Sequence, residues 1–333
     1  MKGLARKIEA TLRLNGDVTS CFLGAFVEIG ICCSLIVMAA PSFVKVLSDN
    51  DLGITGGHQV GILIPKAEIS RFPQLEEDEK NPRAPIQLFW NGRMFKQGNF
   101  IHYNNKKFGG TRDEYRITPF TKRDFRTLGA TTGDFLVFGG INSSDFEIDL
   151  VAPDSERARD LGLPQGAQPG SAVKPSAEAI ADLAEADSQI RNGNYQVPDT
   201  FSVTKIRRFQ SVFRSMVELN FGGACCLPGC PVDDPRFLEA THIVPWSRNP
   251  ALRLDPGNGL LLCKNHHVAL DSGIITLDQK GVNYVVKVSS RQHESRYVQR
   301  EIAALEGKAL RNPVRHALAN ACVAYHRKNI FRA

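Results

Sequence analysis

Short apolar runs separated by Gly, Asn and Pro dominate residues 45–150: Gly61-Ile-Leu-Ile-Pro65, Ile86-Gln-Leu-Phe-Trp90, Phe100-Ile-His-Tyr103 and Phe135-Leu-Val-Phe138. Runs this short, bounded by turn formers, predict strands, and several at such spacing predict a barrel or pseudobarrel. Residues 154–200 change character. Pro164-Gln-Gly-Ala-Gln-Pro-Gly-Ser171 is small, polar and rich in chain breakers, and an acidic, Ala-rich stretch follows it. This reads as an interdomain linker with at most one short helix. From about Thr204 the period lengthens: Ile206, Phe209, Phe213, Met216 and Val217 have helical spacing, and Gly222-Gly223 supplies a stop. The pattern divides the chain into an apolar, helical extension at 1–44, a mainly β domain at 45–153, a linker at 154–200 and a second domain at 201–333. The fold class expected is α+β with two domains, since 333 residues are long for one core.

The extension contains one ambiguous run. Cys21 to Ala40 is mostly apolar with a single charge, Glu28, and follows Lys2, Arg6, Lys7 and Arg13. Its length permits a membrane span or an export signal. Against a span, Glu28 is costly in lipid; Gly24 and Gly30 weaken a helix. The reading is a buried or interface helix in a cytoplasmic protein. A membrane or export segment, or an upstream extension outside the working protein, stands as the alternative.

Charge sharpens the division. Residues 201–333 carry 19 Lys and Arg against 10 Asp and Glu, whereas residues 151–200 carry 4 against 8. A basic C-terminal third fits a polyanionic partner, because cations on phosphates release condensed counterions. Of eight cysteines, Cys225, Cys226, Cys230 and Cys263 cluster around a His-rich segment. That favours metal ligation in a reducing compartment over a disulfide framework.

Cys226-Leu-Pro-Gly-Cys230 and Cys263-Lys-Asn-His266 supply two pairs of soft or borderline ligands, enough to close a zinc tetrahedron. Cys225 is a possible substitute for Cys226. A module this small buries little apolar area, so a structural Zn2+ would supply folding energy. Between the pairs lie Glu239-Ala-Thr-His242-Ile-Val-Pro-Trp246, Arg253-Leu-Asp-Pro-Gly-Asn258-Gly-Leu-Leu-Leu-Cys263 and His266-His267-Val-Ala-Leu-Asp271-Ser-Gly273.

This stretch resembles the HNH nuclease family over about 55 residues in register. The resemblance implies a β-hairpin and a helix clasping one divalent ion, the ββα-metal fold. It places the catalytic residues at His242, Asn258 and His267. His242 would take a proton from water, since an imidazole pKa of about 6.5 leaves it neutral at physiological pH. Asn258 would orient the His242 strand, and His267 would hold Mg2+ or another divalent ion at the scissile phosphate. One departure stands out: many HNH sites carry Asp just before the first His, where this chain has Thr241. The second ligand is therefore open, with Asp255 a candidate; Asp271 and Gly273 read as turn residues.

A second resemblance covers residues 47–150. Leu47-Ser-Asp-Asn-Asp51 through His58-Gln59 to Pro65-Lys66, and Gly110-Thr-Arg112-Asp-Glu114-Tyr-Arg116-Ile-Thr118, are similar to the N-terminal effector domain of EcoRII-type restriction enzymes. That domain is a DNA-binding pseudobarrel with two arms, and the resemblance puts His58, Gln59 and Lys66 on one arm and Arg112, Glu114 and Arg116 on the other. Arg can pair with guanine and Glu can accept from cytosine, so the second arm would present a base-reading face, with Lys106 and Lys107 on phosphates.

Together these readings give a zinc-stapled HNH endodeoxyribonuclease acting on double-stranded DNA at a specific sequence, as a type II restriction enzyme. The alternatives are a nuclease directed by DNA methylation, and a DNA-binding regulator with a decayed site, motivated by Thr241. A palindromic target would imply a homodimer, and a cognate methyltransferase follows only by analogy.

Overall fold

The computed structural model describes residues 41–333 apart from 56–60, 141, 282 and 292–294. The apolar segment 21–40 and the arm residues His58 and Gln59 therefore lie outside the described residues. In chain order the strands are β1 (Pro41–Val46), β2 (Ile62–Ile64), β3 (Arg83–Trp90), β4 (Arg93–Tyr103), β5 (Glu114–Thr118), β6 (Phe135–Gly140), β7 (Asp145–Val151), β8 (Ala172–Val173), β9 (Leu238–His242), β10 (Gly259–Cys263), β11 (Ile275–Lys280) and β12 (Asn283–Val288). The α-helices are α1 (Lys122–Leu128), α2 (Glu156–Asp160), α3 (Ala177–Arg191), α4 (Val203–Asn220), α5 (Lys264–Asp271) and α6 (Asn320–Asn329).

β1 to β8 form one curled sheet in the order β2-β5-β4-β3-β7-β6-β1-β8. Every pairing is antiparallel except β3 with β7. The mixed α+β class follows, with the large sheet in the N-terminal half. Alternation explains the unbroken apolar runs. Phe43, Leu136 and Phe138 point into the curl, where Phe72, Phe100 and Phe146 meet them with ring centroids 4.7–6.4 Å apart. Their neighbours Val44, Val46, Phe135 and Val137 point out and join a second core that includes the C-terminal half. Strands buried on both faces are apolar at nearly every position; the exception, the buried Lys45 of β1, pairs with Asp51 at 3.6 Å.

Two expectations need correcting. The sheet begins at Pro41, inside the segment read as an N-terminal extension. Residues 154–200 are not a free spacer. Ala179, Leu183, Ala186 and Ile190 recur at helical spacing along α3, all buried, and Ala158, Leu161, Leu163 and Val197 join the same core. Small residues let α3 lie close against α4, where the buried Arg208 guanidinium donates to Asp182 Oδ2 at 2.6 Å and to the Asp160 carbonyl at 2.7 Å. The Ala content, which looked like a spacer, is the packing surface. Among the described residues, no helix is long and apolar enough to cross a membrane.

The sheet also meets the C-terminal half at a turn. Asn91 and Gly92, both at positive φ, close the β3–β4 hairpin. A Cβ at Gly92 would lie 2.5 Å from Leu219 of α4, and one at Gly223 would lie 2.7 Å from the Asn91 carbonyl oxygen. Two glycines facing each other let the backbones touch. The Gly92 N–H donates to Glu147 at 3.0 Å, and Arg93 donates to the Gly222 carbonyl. Gly223→Ala places a side chain at positive φ against main chain, at a cost of about 2 kcal/mol or more. The expected result is a lower midpoint in urea unfolding; an unchanged midpoint would contradict the close approach.

Candidate active site

The site is a hairpin held between two helices. β9 and β10 pair antiparallel, His242 opposite Gly259, Ala240 opposite Leu261 and Glu239 opposite Leu262. Alternation gives His242 and Gly259 to the face covered by α4. A Cβ at Gly259 would fall 2.4 Å from Val217 and 3.0 Å from Phe213, so the glycine opens the space into which Phe213 leans. There the Phe213 ring stacks on His242 at 4.0 Å and 12°, and Trp246 meets the same imidazole edge-on at 5.5 Å. Glu239 and Thr241 take the other face, under α5, where His267 sits.

His242 is half-buried, and burial lowers its pKa below the usual 6.5, with the hydrogen bond to the Arg253 carbonyl pulling the other way. Its Nε2 lies 2.9 Å from the Arg253 carbonyl oxygen. A carbonyl can only accept, so Nε2 carries the proton and Nδ1 the lone pair. Arg253 is itself fixed: its buried guanidinium donates to the Trp246 carbonyl at 3.0 Å and the Val197 carbonyl at 2.6 Å, pairs with Asp199 at 2.7 Å and lies over the Trp246 ring. Asn258 is buried and clamps the same loop. Its Oδ1 accepts from the Val244 N–H at 2.7 Å, and Nδ2 donates to the Val244 and Leu252 carbonyls at 3.2 Å.

His267 faces two carboxylates. Nδ1 contacts Glu239, and Nε2 is 3.0 Å from Asp271, one helical turn on. The structure therefore does not gather His242, Asn258 and His267 into one hydrogen-bonded group. Asp255, weighed above as a second ligand beside His267, is not there: its Oδ1 caps a turn, accepting from the Gly257 N–H at 2.8 Å. Gly273 does serve the chain turn, at φ +71° with the Ile330 carbonyl 2.2 Å from where a Cβ would be. Sequence reasoning gave Glu239 no role. Its parity with Thr241 was the available signal.

Next to the hairpin, Cys225, Cys230, Cys263 and His266 bring their ligand atoms within 4.8 Å of one another. Both Cys225 Sγ and Cys263 Sγ approach His266 Nδ1, at 3.3 and 3.2 Å. Three thiols and an imidazole converging in a largely buried corner fit a tetrahedral ion. The hydrogen bond from Cys225, and then those from His266, hold the Cys263 thiol well below the usual thiol range. One expected ligand is corrected: Cys225, the alternative, takes the place of Cys226. Consecutive residues of an extended chain point opposite ways, and here the Cys225 N–H bonds Val232 while the Cys226 N–H bonds Leu261. Cys226 faces the apolar core, where burial pushes its thiol pKa up.

At the edge of the sheet, Lys66 pairs with Asp113 at 2.6 Å, and Asp113 also meets His102 of β4 at 2.9 Å. Arg112 lies over the Tyr103 ring at 3.8 Å and binds Glu114. Arg116 departs from the expected base-reading face. It is 5% exposed, donating to Glu114 at 3.0 Å and to the Gly61 carbonyl at 3.2 Å. It supports Glu114 from below rather than reaching outward. Lys107 is exposed and paired with Asp78 at 2.8 Å.

Residues 37–173 match the family model described as the N-terminal region of restriction endonuclease EcoRII, and residues 225–278 match that of the HNH endonucleases. The type II restriction enzyme EcoRII of Escherichia coli is 37% identical over 94 residues, 27% of this chain and 23% of that protein, so the match spans under a quarter of its length. A solved structure, the modification dependent TagI restriction endonuclease, is 20% identical with a TM-score of 0.27, covering 35% of this chain and 37% of that one.

Replacing the ligand thiol and its neighbour separates their roles. Cys225→Ala is expected to lose the bound metal, read by elemental mass spectrometry. Cys226→Ala should keep it and cost only about 1 kcal/mol for the small cavity. Equal metal content in the two variants would overturn the ligand set.

Proposed function

We propose that this chain, which joins an EcoRII N-terminal region to an HNH endonuclease domain, is a DNA endonuclease that hydrolyses phosphodiester bonds at a specific sequence, as a type II restriction enzyme does. The observation that carries the reading is the His242 imidazole. Its proton is committed to the Arg253 carbonyl at Nε2, burial keeps the ring neutral, and no described residue engages Nδ1. That is a base held in one tautomer with its lone pair free.

In the reaction, His242 Nδ1 accepts a proton from a water molecule as the water oxygen bonds to phosphorus. The bond from phosphorus to the leaving oxygen breaks, and that oxygen takes a proton from solvent. Asn258 fixes the loop from Val244 to Leu252, and so the approach of the His242 ring. Phe213 and Trp246 keep bulk water from the ring faces. His267 would hold the divalent ion, for which Mg2+ is the natural choice; when bound, it neutralises charge on the phosphate and stabilises the departing oxygen. Zn2+ suits the Cys225, Cys230, Cys263 and His266 set, whose soft donors and tetrahedral number match it.

The sheet supplies recognition in this reading. Arg112, Glu114 and Lys66 lie at its surface with their charges internally paired, an arrangement that double-stranded DNA would exchange for contacts to bases and phosphates. His58, Gln59 and Lys107 complete the proposed interface. A palindromic target calls for a two-fold dimer, and restriction calls for a cognate methyltransferase.

Incubation with plasmid and Mg2+ tests the activity directly. Nicking or linearisation of unmethylated template is expected, with discrete fragments whose sequenced ends share one motif. Cleavage confined to methylated template would replace the sequence-specific reading. His242→Ala should lower the rate by about 100-fold or more while DNA binding persists. Because the base acts when neutral and its pKa lies below 6.5, the rate should rise with pH and reach half its plateau below pH 6.5. An inflection above that value would contradict His242 as the base.

A further inference from the structure

Thr241 leaves the proposed ion without the carboxylate that the family resemblance puts at that position. Resting on the endonuclease reading above, we propose that Glu239 supplies it, binding the divalent ion together with His267, while Asp271 orients the His267 ring.

Parity comes first. Glu239 and Thr241 share the face of β9 that lies under α5, one pleat repeat apart, about 7 Å along the strand. Thr241 is 2% exposed and its Oγ1 is buried without a hydrogen-bond partner, a polar atom aimed into the hairpin–helix junction with nothing there to meet it. A hydroxyl at that place carries no charge. Glu239 reaches the same junction with one more methylene than an aspartate and arrives at His267 Nδ1.

The ring decides between the two neighbouring carboxylates. A histidine bound to a cation uses the lone pair of one nitrogen, and its other N–H commonly donates to a carboxylate that fixes the ring. Asp271 lies 3.0 Å from Nε2, on the same helix and 57% exposed, the place of an orienting acceptor. Nδ1 then points at Glu239, so one nitrogen and one carboxylate oxygen from different elements face each other across the junction. A hard divalent ion held by one or two protein ligands completes its shell with phosphate oxygens and water. Asp255 is spent on its turn.

Mn2+ titration of the zinc-loaded full chain without DNA, followed by calorimetry and by electron paramagnetic resonance, reads binding independently of cleavage. Wild type is expected to bind Mn2+ and His267→Ala to lose it. Glu239→Gln should weaken binding by about 100-fold, Asp271→Asn by roughly 10-fold, and Glu239→Gln with Thr241→Asp should recover most of the loss. Unchanged binding in Glu239→Gln, a larger loss in Asp271→Asn, or no recovery in the double variant would overturn the assignment while leaving the nuclease reading intact. Binding that His267→Ala does not touch would sink both. Zinc content and circular dichroism, unchanged across the set, exclude misfolding as the cause.

Discussion

One helix is buried from two directions, and both halves of the molecule depend on it. Phe213 and Val217 of α4 press on the hairpin that carries His242, Leu219 meets the Asn91–Gly92 turn of the sheet, and Arg208 is locked to α3. Phe209, Val212, Phe213, Met216 and Val217 are all essentially removed from solvent. At about 1.5–3 kcal/mol for each such side chain, an upper bound against a compact unfolded chain, that helix supplies a large share of a marginal total. Because its two sides serve different halves, the outer face of the sheet and the hairpin share one hydrophobic core.

The parts of this legible in sequence were those where a single period dominates. β2, β3, β4 and β6 announced themselves as short apolar runs, and α4 as a helical period ending at two glycines with φ near +60°. The segment at 154–200 did not. Its breakers and acidic residues are real, but the buried apolar positions of α3 are Ala179, Leu183, Ala186 and Ile190, with Asp182 buried among them against Arg208, spaced for a partner helix that only tertiary structure provides. Composition reports what a segment could not bury alone, not what it buries against a neighbour.

The site was legible as a motif and opaque as a geometry. Spacing identified the two ligand pairs but not which of two adjacent thiols turns inward; backbone hydrogen bonds to Val232 and Leu261 decide that. The arginines of Arg112-Asp-Glu114-Tyr-Arg116 have the same parity in sequence, yet Arg112 precedes β5 and lies over Tyr103 while Arg116, within the strand, is buried. Glu239 was invisible because its meaning comes from α5, which the strand's own pattern does not mention.

The carbonyl that fixes the His242 tautomer belongs to Arg253, and Arg253 is anchored by Val197 and Asp199, which precede the nuclease motif by more than two dozen residues. The proposed catalytic geometry is thus written partly outside its own signature. A fragment trimmed to the signature alone would retain every emblematic residue and all four metal donors. What it would forfeit is the brace that tells one histidine which of its nitrogens is to be left bare.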